Sequence, residues 1–241
     1  MNRASVERHN RAQQTYFEGR VPETMVPRAT PYVRRHVDEL LHASELSAGV
    51  SILEVGCGMG NYTFELVRRG LTLEGLDLSP VLLDRLRAYA TDGFELPLHC
   101  ADVLTPPEDL LGRFEGVIGF FTLHHLHDLE GSIASMARLL RPGGRFAFVE
   151  PNAFNPLYYV QIAATPGMSF RGERRLTSMR PAVILPAMRA AGLSDVFVHR
   201  YGFFPPQVVN RGAGRAVEHA LERIRPLRPV AAFQLFVGRH P

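Results

Sequence analysis

Residues Ile52 to Tyr62 read I-L-E-V-G-C-G-M-G-N-Y. Ile52, Leu53 and Val55 form a short apolar run of strand type. The run stops at Gly56, and glycine returns at Gly58 and Gly60. From Thr63 to Arg69 the pattern predicts a helix, with Phe64, Leu66 and Val67 as its apolar residues. A buried strand, a glycine turn and a helix start make a cradle for a ligand. Glycine lets the backbone approach a ligand closely and take positive φ without strain. The first helical turn offers N–H groups that have no partner within the helix. Glu54 stands just inside the turn, where a carboxylate can face a bound molecule.

The same alternation continues outward from this stretch. Leu71 to Leu76 predicts a second strand ending at Asp77, about twenty residues past the loop, where an acid can meet a ribose diol. Ser79-Pro80 opens the next helix with a capping hydroxyl and a proline in the favoured first position. That helix runs to about Tyr89, and Thr91-Asp92-Gly93 breaks it. Leu96 to Cys100 predicts a third strand, followed by Asp102 and Val103. Phe114 to Phe121 predicts the fourth, Ser132 to Leu140 a helix and Arg145 to Glu150 the fifth strand. Glu54, Asp77 and Asp102 thus follow three successive strands. Strand–helix alternation implies an α/β fold with a parallel sheet and helices on both faces.

The flanks differ in kind. Tyr32 to Leu46 predicts an amphipathic helix, with Val33, Val37, Leu40 and Leu41 at helical spacing. Together residues 1–47 form an N-terminal helical segment placed to cover the ligand mouth, with Tyr16, Phe17 and Arg20 as lid candidates. An irregular insertion, about 151–178, holds Asn152, Asn155, Tyr158, Tyr159, Phe170 and the basic stretch 171–175. It is the expected substrate-side lid. A helix over Pro181 to Ala191 and a sixth strand over Asp195 to Phe203 follow. Residues 205–229 form an Arg-rich helical insertion, and Val230 to Gly238 the last strand. The final two strands lack a helical crossover and suit an antiparallel edge.

Composition narrows the classes. At 241 residues with 46% hydrophobic content the chain suits one domain. No apolar run nears the roughly 20 residues that span a bilayer. Met1 to Gln14 is polar with no signal-peptide core, so a cytoplasmic location is expected. Net charge is +3, yet all 27 cations are arginine. A total lack of lysine points to coding bias rather than phosphate binding, and the arginines are interspersed with acids, so no nucleic-acid partner is expected. Cys57 and Cys100 lack metal-ligand spacing, and both are expected to be small buried thiols. No metal is expected.

The dinucleotide fingerprint G-x-G-x-x-G requires glycine at position 61, where this chain has Asn61. Acid-x-Gly-x-Gly-x-Gly resembles instead the first motif of class I S-adenosylmethionine-dependent methyltransferases. L-E-G-L-D resembles the second motif, C-A-D-V the adenine motif, F-E-G-V-I-G-F-F-T-L-H-H-L the fourth-strand motif and L-L-R-P-G-G-R-F the segment before the fifth strand. The resemblance implies a doubly wound, mostly parallel, seven-stranded Rossmann-like sheet with an antiparallel last strand. It implies S-adenosylmethionine held by Glu54, Gly56, Cys57, Gly58, Gly60, Asp77, Leu78, Asp102, Val103 and Phe120. Asp77 then stands at the ribose, and Asp102 accepts from the adenine amino group. Two departures mark the fourth strand. Glu115 replaces the usual Asp, and Phe120-Phe121 replaces a small polar residue near the methionine end.

Methyl transfer needs alignment and desolvation, and a base only where the nucleophile holds its proton. His124 and Glu150 lie at the ends of the fourth and fifth strands and are the catalytic candidates. Tyr16, His125, Asn152 and Tyr158 are substrate-side candidates, His125 also being a scaffold residue in the family. No base-amino methylation signature of the Asn/Asp-Pro-Pro-aromatic type follows the fourth strand. The expectation is O- or N-methylation of a small molecule in bacterial specialised metabolism, by a monomer or homodimer. The alternatives are a methyltransferase fold recruited for a displacement or cyclisation, and a binding protein without turnover.

Overall fold

The computed structural model describes residues 3–19, 26–90, 96–157, 159 and 178–241. Arg20, Tyr158, Phe170 and the basic stretch 171–175 fall outside them, as does the side chain of Phe17. Seven strands form one sheet: β1 (Ser51–Val55), β2 (Thr72–Asp77), β3 (Leu98–Cys100), β4 (Phe114–Phe120), β5 (Leu140–Pro151), β6 (Ser194–Tyr201) and β7 (Phe233–Arg239). Their order is β3-β2-β1-β4-β5-β7-β6. Strands β1 to β5 pair in parallel, while β7 runs antiparallel between β5 and β6. The expected seven-stranded fold is therefore present, with the antiparallel strand inside the sheet.

Period-two alternation assigns the two faces. Leu53, Val55, Val117, Phe146 and Phe148 point to one face, beneath α5 (Leu129–Ala137) and α6 (Pro181–Ala190). Ile52, Ile118, Phe120, Ala147 and Val149 point to the other, beneath α2 (Pro31–Ser44) and α3 (Thr63–Arg68). Glu54 shares this second face. The helix after β2 is α4 (Pro80–Tyr89), whose cap is the expected Ser79, with Oγ accepting the Leu82 N–H at 3.2 Å.

Some boundaries move. Helix α5 starts at Leu129, three residues before the expected Ser132, because Asp128 caps it by accepting the Gly131 N–H at 3.0 Å. Strand β5 extends back to Leu140. The insertion before β7 divides into α7 (Pro206–Val209) and α8 (Gly212–Glu222). Arg35 of α2 ties α8 down through Glu222 at 2.5 Å and Glu218 at 3.5 Å. Cys100 is exposed, a correction to the expected buried thiol, because β3 is an edge strand of three residues. Cys57 is buried as expected. Among the described residues no helix is long and apolar enough to cross a membrane, and no cluster suits a metal ion.

Candidate cofactor and methyl-transfer site

The carboxyl ends of β1, β2, β3, β4 and β5 converge on one rim. Gly56, Gly58 and Gly60 all take positive φ, at 73°, 52° and 90°. At Gly56 a Cβ would lie 2.5 Å from Thr122 Oγ1, so only glycine lets the loop pass the end of β4. Asp77 gives the loop its shape. Its carboxylate accepts the Gly58 N–H at 2.8 Å and the Ser79 N–H at 2.9 Å. Each carboxylate oxygen keeps a second lone pair, which suits a ribose hydroxyl. Burial raises the Asp77 pKa, against those backbone hydrogen bonds.

Glu54 is buried and accepts the Thr63 hydroxyl at 2.5 Å. Burial pushes its pKa up to about 8, opposed by Thr63 and reinforced by Asp77. Cys57 turns its thiol away from the loop into the packing of Leu83 and Leu86, and burial raises its pKa. Val103 is buried beneath the rim, and Asp102 accepts the Leu104 N–H at 2.9 Å.

A helix lies across this rim. Helix α1 (Arg3–Gly19) sends Asn10 Nδ2 to Asp102 Oδ2 at 2.6 Å and Gln14 Nε2 to the Leu78 carbonyl at 2.8 Å. Its Glu18 accepts the Ser79 hydroxyl at 2.6 Å. On the other side His9 Nε2 donates to the His125 carbonyl at 2.8 Å, and Ser5 Oγ lies 3.2 Å from His127 Nε2. The sequence reading named none of Asn10, Gln14 or Glu18, although their i, i+4, i+8 spacing marks one helical face. Tyr16, named there, is 55% exposed on the opposite side of the helix from that stripe.

His124 and Glu150, chosen separately, meet. His124 Nδ1 lies 2.6 Å from Glu150 Oε2, and Glu150 Oε1 accepts the Leu123 N–H at 2.6 Å. The pairing of β4 with β5, Phe120 opposite Val149, sets this contact. Both side chains are buried. With Nδ1–H directed at the carboxylate, the neutral ring carries its lone pair on Nε2. The His125 ring lies 3.9 Å from that of His124. Asn152 requires a correction. It is fully buried, its amide donates to the Pro229 and Ala231 carbonyls, and its oxygen accepts the Phe154 N–H. It closes the join of β5 to β7 and does not face the mouth.

An aromatic wall stands beside the loop. Tyr62 stacks on Phe120 with centroids 4.2 Å apart and planes at 12°. Phe121 takes φ of 56°, a costly conformation for a bulky residue. Its ring then meets His36 of α2 edge to face at 5.3 Å. His36 Nδ1 is 2.6 Å from the Tyr201 hydroxyl, and burial with the Arg35 charge lowers its pKa to about 3.

Comparison with known proteins gives this rim its class. Residues 52–144 match the family model of a methyltransferase domain. An uncharacterized methyltransferase of Mycobacterium bovis is 30% identical over 139 residues, which span 56% of this chain and 70% of that protein. The chain belongs to the class I S-adenosylmethionine-dependent methyltransferases, and S-adenosylmethionine is the cofactor. The ubiquinone biosynthesis O-methyltransferase of Nitrosococcus oceani is 32% identical over 56% of this chain, and the match spans 55% of that relative's length. In fold, the chain resembles the 4+2 cyclase SpnF, with a TM-score of 0.62 at 18% identity over 86% of this chain and 80% of that one.

Proposed function

We propose that the protein methylates a hydroxyl oxygen of a small, ring-bearing molecule, with His124 as the general base and Glu150 as its positioning partner. The 2.6 Å contact between these two buried groups carries the reading. A hydroxyl holds its proton at neutral pH, so an oxygen acceptor needs a base, and a carboxylate on Nδ1–H fixes the tautomer that presents the Nε2 lone pair. S-adenosylmethionine supplies an electrophilic methyl on a sulfonium. The glycine loop, Asp77, Asp102 and Val103 would hold and orient it. Nε2 of His124 would take the hydroxyl proton as the acceptor oxygen bonds to the methyl carbon and the carbon–sulfur bond breaks, S-adenosylhomocysteine being the leaving group, and Glu150 would steady the imidazolium. Tyr62 and Phe121, both half-buried, offer a flat apolar wall to an acceptor ring. The relative named for O-methylation in ubiquinone biosynthesis supports oxygen over nitrogen.

The test is labelled S-adenosylmethionine with a panel of phenols, carboxylic acids and amines, and with an extract of the producing organism. Label on a hydroxyl oxygen, with S-adenosylhomocysteine released, is expected. His124→Ala lowers kcat by roughly 100- to 1,000-fold while calorimetric affinity for S-adenosylhomocysteine holds. Label on amines alone overturns the oxygen assignment. The strained Phe121 at the methyl-facing end of β4 favours a second reading, a fold recruited for cyclisation. Cofactor binding with no label transfer to any acceptor would overturn methyl transfer, and conversion of a candidate precursor without loss of the cofactor's methyl would support cyclisation.

A further inference from the structure

The contacts of α1 show which of its side chains face the cradle. His9 reaches the His125 carbonyl beyond β4. Asn10 reaches Asp102 beyond β3, and Gln14 the Leu78 carbonyl beyond β2. The sheet order β3-β2-β1-β4 puts the glycine loop of β1 between these anchor points. Gln13 is four residues past His9 and three past Asn10, so it shares their face of the helix. Its oxygen Oε1 is buried and has no hydrogen-bond donor among the described residues. Asn10, Gln14 and Glu18 on the same stripe all have partners. A buried acceptor without a donor is costly, and such an atom beside a ligand site calls for a donor on the ligand.

The adenine amino group supplies one. It carries two hydrogens, and Asp102 accepts one of them under the reading of the site given above, on which this step rests. We infer that Gln13 Oε1 accepts the other, so that α1 reads the base as well as covering it. Asn10 has a positioning part. Its Nδ2 donates to Asp102 Oδ2 while the Leu104 N–H donates to Oδ1, which fixes the plane of the carboxylate. A hypoxanthine base, with a carbonyl oxygen in place of the amino group, turns an acceptor toward two acceptors and is rejected.

Calorimetry on the full chain with S-adenosylhomocysteine and its deaminated form, S-inosylhomocysteine, tests this. The wild type prefers the amino form by at least about tenfold. In Gln13→Leu, affinity for S-adenosylhomocysteine falls about tenfold and affinity for the inosyl compound holds, so the preference narrows. Ligand-free Gln13→Leu melts at or above the wild-type temperature, since an unmet acceptor is gone, whereas a glutamine with a purely structural role would lower it. An unchanged preference in Gln13→Leu overturns the inference. If Asp102→Ala narrows the preference and Gln13→Leu does not, the adenine role of Asp102 stands and that of Gln13 falls. If neither variant narrows it, the assignment of Asp102 fails and Gln13 with it.

Discussion

Glu54 is a buried acid on the strand that leads into the glycine loop. It lies on the α3 face of β1, where apolar neighbours would pack without cost, and among the described residues its carboxyl has one hydrogen-bond partner, the Thr63 hydroxyl. Burial is the first cause of a pKa near 8, and the Asp77 charge adds to it. An acid whose native pKa lies above its unfolded value keeps its proton longer when folded. Its stability is full below about 4.5, the unfolded value, and is lost as pH rises toward about 8. The ligand-free Glu54→Gln variant is therefore expected to match the wild type in urea unfolding below the unfolded value, at about pH 4, and to exceed it at about pH 9. S-adenosylmethionine carries a sulfonium and an ammonium besides its carboxylate, and either cation bound next to Glu54 would draw that proton off. Binding at pH 7 then releases a proton, seen as a dependence of the calorimetric heat on buffer ionisation enthalpy. A binding heat that is the same in every buffer, or equal stability of the two proteins at pH 9, would rule this out.

Helix α1 lies across the rim and helix α2 packs on the sheet face beside it, and they hold on by different means. Helix α1 holds on through polar side chains, because its partners are carboxylates, carbonyls and a capping hydroxyl at strand ends. Helix α2 packs Val37 and Leu40 on the sheet and adds a cluster of rings. His36 touches Tyr32 at 4.3 Å and Phe233 at 4.5 Å, both edge to face, besides Phe121 and Tyr201. A cation does not survive at that depth, and burial foremost, with Arg35 second, keeps the imidazole neutral down to about pH 3. The unfolded chain binds a proton near pH 6.5 that the native state cannot. Stability is thus lost as pH falls from about 6.5 toward 3. His36→Phe keeps the ring packing and removes this loss. At pH 7 it is weaker by about 1 kcal/mol for the missing bond to Tyr201, and its urea midpoint declines less on going to pH 4.5. Parallel decline of both proteins would show that α2 docking does not carry the acid sensitivity.

On the scale of the whole molecule, the parallel sheet explains what the sequence revealed. Successive βα units bring every strand's carboxyl end to one rim, so acids placed after strands one to three converge whatever their neighbours. The convergence of the glycine loop, Asp77 and Asp102 on one rim was legible for that reason. The His124–Glu150 contact was not, because it depends on β4–β5 register across 26 residues. The stripe Asn10, Gln14, Glu18 reads as an ordinary solvated face until its partners, 61 to 92 residues away, are known. Asn152 misled because a polar residue at a strand end resembles a site residue, when its amide satisfies backbone carbonyls of the chain leading into β7. A cofactor bound at the rim assembled from β1, β2, β3 and α1 would tie binding to global stability. A ligand that binds only this assembled form stabilises it by about 2.7 kcal/mol at 100 times its Kd. For a chain of this size that raises Tm by roughly 5–10 °C. S-adenosylhomocysteine is expected to do so in a concentration-dependent way and to slow amide exchange in α1 along with the glycine loop, although α1 lies far from that loop in sequence. Asp77→Ala, which frees the Gly58 and Ser79 N–H groups, loses most of the shift. A melting point indifferent to S-adenosylhomocysteine, or protection of the loop without α1, would separate the helix from the site.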